Sequence, residues 1–126
     1  MHCLDTSAVL ELLYGTSLGG TIKSHIAGNP LSITSFTIYE LQVGLKEQEK
    51  KRLQHFLMEI EVIPFDKNTA KKSAEIEQKL KQRGQPINKV DIFIAGICVV
   101  HNYELITCDN DFAQVGELRS IIVKRK

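Results

Sequence analysis

Four acidic residues, far apart in the sequence, stand where strands end and helices begin. Asp5 follows the apolar start Met1-His2-Cys3-Leu4, and Glu40 lies early in the helix-like stretch after Leu31-Ser32-Ile33-Thr34. Asp91 opens the apolar stretch VDIFIAGICVV, and Asp109 follows the short strand signal ELITC. In an open α/β sheet, ligands bind outside the carboxyl ends of the strands, where the order of winding reverses. Two acids at strand ends and two at helix starts can therefore meet in one pocket. A cluster of carboxylates repels itself and calls for a hard divalent cation, so the quartet reads as a metal site.

Each acid also has a plainer use. Glu40 stands three residues after Thr37, the spacing of a capping box, and taken alone that reading is the stronger one. Asp91 stands three residues after Asn88, where an acid in the first helical turn complements the dipole; alone, the two uses balance. Asp109 and Asp111 could cap a short helix or shape a turn, and for either alone capping is the better account. Asp5 differs, because an acid ending a buried first strand has few structural uses. The joint case is stronger than any single one, since every strand end or helix start expected on one side carries an acid. Caps and ligands do not exclude one another.

The elements that must position these residues alternate. Residues 1–5 read as a first strand, and Ala8 to Tyr14 as a helix with Thr6 and Ser7 as possible caps. A second helix runs from Leu18 to Ala27, closed by Gly28-Asn29-Pro30. Leu31 to Thr34 is a strand, Thr37 to Gly44 and Lys50 to Met58 are helices, and Glu61 to Phe65 is a third strand ended by Asp66. Lys67 to Arg83 is a polar amphipathic helix with Ala70, Ala74 and Leu80 on one stripe and Gly84 just past its end. Asn88 to His101 is the most apolar helix and is expected at the centre. Glu104 to Thr107 is a fourth strand, Asp111 to Val115 a helical turn, and Ser120 to Lys124 a fifth strand at the edge. Strands separated by helices predict an α/β fold: one domain over residues 1–126, a mostly parallel five-stranded sheet with helices on both faces. Placing the first strand beside the fourth would bring Asp5 and Asp109 out side by side.

Composition excludes several classes. The chain has 126 residues, 43% hydrophobic and 25% charged, with a net charge of +1, so no overall basic field announces a polyanion. The run from Lys46 to Arg52 contains Glu47 and Glu49 and reads as a solvated helix face, which leaves the tail Lys124-Arg125-Lys126 as the other basic candidate. Cys3, Cys98 and Cys108 lie in apolar stretches without a paired spacing, as expected of buried reduced thiols. No apolar run reaches the ~18 residues of a membrane span, and Asp5 interrupts any leader pattern, so a cytoplasmic, unprocessed protein is expected. Gly15 and Gly20 match the glycines of a phosphate-binding loop, but Thr21 replaces its lysine. His2, His25, His55 and His101 lack zinc-ligand spacing, and Ser7, Ser32 and Ser35 lack the turn of a nucleophilic serine. Asp66 could suggest the phosphoacceptor of a receiver domain, but Asp5 lacks the acidic neighbour such a domain carries. Asp66 reads as the cap of the following helix.

The segments LDTS at Asp5, TIYEL at Glu40, NKVDIFIAG at Asp91 and TCDNDF at Asp109 resemble those of the PIN-domain nucleases. Within that family, length and helix order look most like the VapC toxins of type II toxin–antitoxin pairs. The resemblance implies Asp5 and Asp91 as principal ligands of Mg²⁺, or of Mn²⁺, with Glu40 and Asp109 completing a catalytic quartet. It also implies Thr6 as a hydroxyl orienting the first ligand or a water, and Asp111 as a supporting acid. The implied activity is metal-dependent endonucleolytic hydrolysis of RNA. The implied partners are a second copy in a homodimer and a small antitoxin protein, which often sets a basic side chain against the acids. Two other classes compete: a non-catalytic PIN-like module that binds RNA or protein, and a metal-dependent phosphatase. A nuclease should show a channel with lysines or arginines beside the acids, and a phosphatase a closed pocket.

Overall fold

The computed structural model describes residues 1–124. Five strands, β1 (His2–Leu4), β2 (Leu31–Thr34), β3 (Glu61–Ile63), β4 (Glu104–Thr107) and β5 (Ser120–Ile122), form one sheet in the order β3-β2-β1-β4-β5. Every pairing is parallel. The chain winds outward from β1 through β2 to β3, then returns to place β4 on the other side of β1. The reversal therefore lies between β1 and β4, the neighbours expected from the acids.

Helices α1 (Thr6–Tyr14), α2 (Ser17–Ile26), α3 (Ser35–Gly44), α4 (Glu47–Met58), α5 (Lys67–Gln82) and α6 (Lys89–His101) cover the sheet, and a 3₁₀ turn (Asn110–Gln114) follows β4. Successive strand residues face opposite ways, and two cores result. Cys3 and Leu105 pack with Ile76, Leu80, Ala95 and Cys98 of α5 and α6. Leu4 and Ile106 pack with Ala8, Ile22, Leu41 and Leu53 from α1 to α4. The short strands are thus apolar on both sides, as parallel strands under two helical layers must be.

Caps set most boundaries. Thr16 caps α2 and Thr34 caps α3, so α3 starts two residues earlier than expected. Helix α4 begins three residues early, where Glu49 accepts a hydrogen bond from the Lys46 backbone N–H at 2.9 Å. Asp66 caps α5, accepting from the Thr69 N–H at 3.0 Å, and that plain role stands. Strand β3 stops at Ile63 because Pro64 has no N–H to donate. Strand β5 ends at Ile122, although the Val123 N–H still reaches the Thr107 carbonyl at 2.8 Å; Arg125 and Lys126 of the basic tail lie outside the described residues. Lys46, Lys51 and Arg52 are exposed, as a solvated face requires. Cys3 and Cys98 are buried, whereas Cys108 is only partly so.

The stripe expected on α5 holds at Leu80 but is displaced by one residue at its two alanines. Ala70 and Ala74 are exposed, and the buried face is Thr69, Ser73, Ile76 and Leu80. Alanine is apolar enough to suggest burial but gains little from it, and the helix is turned by its two large apolar residues, Ile76 and Leu80, which brings Ser73 close against α6. A methyl group built on Gly96 would stand 2.1 Å from the Ser73 hydroxyl.

A second close approach joins α1 and α2. A methyl on Gly19 would lie 2.4 Å from the Glu11 carbonyl oxygen, whereas one on the adjacent Gly20 meets nothing within 4 Å. Gly20→Ala should raise stability by roughly 0.5–1 kcal/mol by restricting the unfolded chain and favouring the helix. Gly19→Ala makes the same gain but must push two helix backbones apart, for a net loss of about 1–2 kcal/mol. Thermal melts of the two variants should shift in opposite directions, and equal shifts would contradict the packing.

Candidate active site

Asp5 leaves β1 with 4% of its surface exposed and turns the chain into α1. One carboxylate oxygen accepts from the Ala8 N–H at 3.0 Å and the Ser7 hydroxyl at 2.7 Å. The other accepts from the Thr107 hydroxyl at 2.6 Å. Asp5 is therefore the N-cap of α1, which overturns both the expectation that Thr6 or Ser7 caps this helix and the view that an acid here has few structural uses.

The two hydroxyls do more than satisfy Asp5. Ser7 Oγ accepts from the Cys108 N–H, and Thr107 Oγ1 from the Asp109 N–H, each at 3.0 Å. The turn leaving β4 thus hangs from Asp5 through two side chains, which fixes where Asp109 stands. Neither Ser7 nor Thr107 was singled out for this from the sequence. The available signal was a hydroxyl residue two positions from each aspartate, in Asp5-Thr6-Ser7 and Thr107-Cys108-Asp109.

Thr6 takes another part than expected. Its hydroxyl donates to Glu40 at 2.5 Å, not to Asp5. The capping box expected of Thr37 and Glu40 is not formed, because Thr34 receives the Thr37 N–H at 3.2 Å and Glu40 falls in the second turn of α3. Asp109 does cap the 3₁₀ turn, accepting from the Asp111 N–H at 2.9 Å. Asp91 lies in the first turn of α6, whose cap is Asn88: its side-chain oxygen accepts from the Val90 N–H at 2.9 Å.

Asp5, Glu40, Asp91 and Asp109 line one open cavity of about 320 Å³, together with Thr6, Ser7, Leu10, Asn88 and Ile94. Asp91, Asp109 and Asp111 each present an oxygen within 4.8 Å of the others. Asp111, expected only in support, thus stands in the tightest group of carboxylates among the described residues. Two carboxylates about 5 Å apart repel by roughly 3 kcal/mol at an effective dielectric of 20. Burial and then Asp109, Asp5, Glu40 and Asp111 push the Asp91 carboxyl up to about 7. Burial also raises Asp5, against the hydrogen bonds from Thr107, Ala8 and Ser7 that pull it down.

This donor set fits a hard cation. It is all oxygen, it has no sulfur or imidazole, and the oxygens of Asp91, Asp109 and Asp111 are gathered closely enough to approach one ion. No lysine or arginine lines the cavity among the described residues, so the basic channel expected beside the acids of a nuclease is not formed by this lining.

A family model described as PIN domain matches residues 2–118. Ribonuclease VapC2 of Rickettsia felis is 29% identical over 131 residues, spanning 98% of this chain and 96% of that protein. The tRNA(fMet)-specific endonuclease VapC of Shigella flexneri is 29% identical over 123 residues, spanning 93% of each. Among solved structures, VapBC2 from Rickettsia felis, bound to a DNA fragment from its promoter, superposes with a TM-score of 0.86 at 24% identity, over 99% of this chain and 98% of that one.

The raised Asp91 carboxyl sets a pH dependence for metal-free protein. Folded Asp91 keeps its proton up to about pH 7, while the unfolded chain gives it up near its ordinary value of 3.8. Between those values the unfolded state binds fewer protons, so stability falls as pH rises and levels off above about 7. Asp91→Asn should flatten that fall and leave the protein more stable than wild type at pH 8 by about 2 kcal/mol, solvent screening included, with the two converging near pH 4. Urea melts in EDTA at both pH values test this, and a variant less stable than wild type at pH 8 would contradict it.

Proposed function

The chain belongs to the PIN-domain family, and from that premise we propose that it is a metal-dependent endoribonuclease acting as the toxin of a VapBC-type toxin–antitoxin pair. The carrying observation is that acids from four separate elements, Asp5, Glu40, Asp91 and Asp109, face one open cavity. The relatives named as a ribonuclease and a tRNA-specific endonuclease support RNA as the substrate class.

Asp5, Glu40, Asp91 and Asp109 would hold Mg²⁺ or Mn²⁺, with Asp111 in support. A bound ion of this kind makes water a nucleophile near neutral pH and offsets charge on the phosphate. The protein's share is placement. Asp5 is held by Ala8, Ser7 and Thr107 and has no freedom to swing. Thr6 fixes the carboxylate of Glu40, and Leu10 and Ile94 give the cavity apolar wall. The openness of the cavity suits a polymer better than the closed pocket of a small-molecule phosphatase. The complete set of acids counts against a non-catalytic module.

The same cavity accounts for an antitoxin. A negative pocket with no cation in its lining among the described residues is complementary to a basic side chain from a partner, and a further structural neighbour is a toxin–antitoxin complex from Klebsiella pneumoniae. Tyr39 and Val43, one turn apart on α3 and 65% and 71% exposed, offer apolar surface to a second copy in a homodimer. Among the described residues, no helix is long and apolar enough to cross a membrane, and a cytoplasmic site of action fits an RNA target.

The test is purified protein incubated with an RNA pool, with and without added Mg²⁺ or Mn²⁺. Cleavage should require the ion, stop in excess EDTA, and fall at least a thousandfold in Asp91→Asn, roughly the scale of losing a metal-held nucleophile. The ion should also raise the melting temperature of wild type, and do so less in Asp91→Asn. Cleavage persisting in EDTA, or an Asp91→Asn protein cutting at the wild-type rate, would overturn the proposal.

A further inference from the structure

The cavity is rich in hydrogen-bond acceptors and poor in donors. Ionised Asp5, Glu40, Asp91 and Asp109 can only accept. The Thr6 hydroxyl is committed to Glu40, and the Ser7 hydroxyl gives its proton to Asp5 while accepting from the Cys108 N–H. Leu10 and Ile94 have no polar side-chain atoms. Asn88 remains. Its side-chain oxygen is occupied by the Val90 N–H at 2.9 Å, and that bond decides which end of the amide faces the helix. Both N–H donors of Nδ2 are left free on an exposed residue at the cavity wall. Among the described residues, it is the one side chain in the lining with uncommitted donors.

An RNA phosphodiester is an anion whose non-bridging oxygens accept hydrogen bonds and donate none. Bound in this cavity, it would be met by the cation on the side of the acids, and elsewhere the lining supplies donors from the Asn88 amide alone among the described side chains. We propose that Asn88 is a substrate-contacting residue, donating from Nδ2 to the RNA backbone beside the bond that is cut. This rests on the nuclease reading above. It gives the side chain two simultaneous tasks: the oxygen orders the start of α6, which carries Asp91, and the nitrogen holds the strand being cleaved.

The two tasks separate by substitution. Asn88→Ser retains a capping oxygen but loses the amide donors, and Asn88→Gln retains the donors but is a poorer cap. If the donor matters, Asn88→Ser should raise the KM for a single-stranded RNA roughly tenfold, the effect of losing one hydrogen bond to a charged group. Its kcat should stay within about twofold, and its metal-free melting temperature and metal-induced rise should match wild type. Asn88→Gln should show the reverse, a lower melting temperature with a KM nearer to wild type. An Asn88→Ser protein with the wild-type KM would overturn the inference and leave the nuclease reading intact. Wild type that cuts no RNA with either ion would overturn both.

Discussion

Everything at the top of this sheet depends on carboxylates being kept close to one another against their mutual repulsion. Separated charges would drift apart on flexible segments. Here Asp5, Glu40 and Asp109 cannot, because each is fastened by a side-chain hydrogen bond. Asp5 is fastened by capping α1 and by accepting from Thr107 across the β1–β4 boundary. Asp109 is fastened by capping the 3₁₀ turn, and Glu40 by Thr6. Asp91, inside the first turn of α6, is raised toward its neutral form by burial first and then by its anionic neighbours. The electrostatic strain of the cluster is thus concentrated where ionisation can be relieved by a proton or a cation.

The topology was legible in the sequence, and so were the acids, for one shared reason. Ligands in doubly wound sheets gather at the winding reversal, and an acid at each strand exit is visible without knowing any side-chain position. What was not legible were the partners of those acids. Thr6, Ser7 and Thr107 are ordinary residues at strand and helix ends, and which hydroxyl serves which carboxylate depends on a rotation of the chain after Asp5 that no pattern records. Glu40 shows the same limit. Its spacing from Thr37 suits a capping box, but Thr34 competes for the same helix start and wins, being buried at the end of β2.

The displaced stripe on α5 has a different cause. Helical periodicity locates a buried face by its apolar residues, and α5 has alanines on one side and Thr69 and Ser73 on the other. The side that is buried also carries Ile76 and Leu80, with Ser73 set against Gly96. Ile76 and Leu80, the two large apolar residues of the helix, decided the face, and the alanines misled because burial rewards a single methyl group little. The acids escaped this ambiguity because their positions follow from chain topology, which is coarser and so easier to read.

The central strand is also the first one made. β1 pairs with β2 at once, but its other edge waits for β4, and the bridge from His2 to Glu104 spans 102 residues. Contacts of such separation close late, because the entropy of a long loop must be overcome before any pairing rewards it. On a ribosome that order is enforced by synthesis, since Thr107 and Asp109 do not yet exist while α1 through α6 emerge. Asp5 must spend that interval at the open edge of a partial sheet, without the hydroxyl that later seats it. A growing chain therefore holds Asp5 without Asp109, and without the hydroxyl that seats it, until β4 has been translated, so the four acids meet only after the sheet has closed around its first strand.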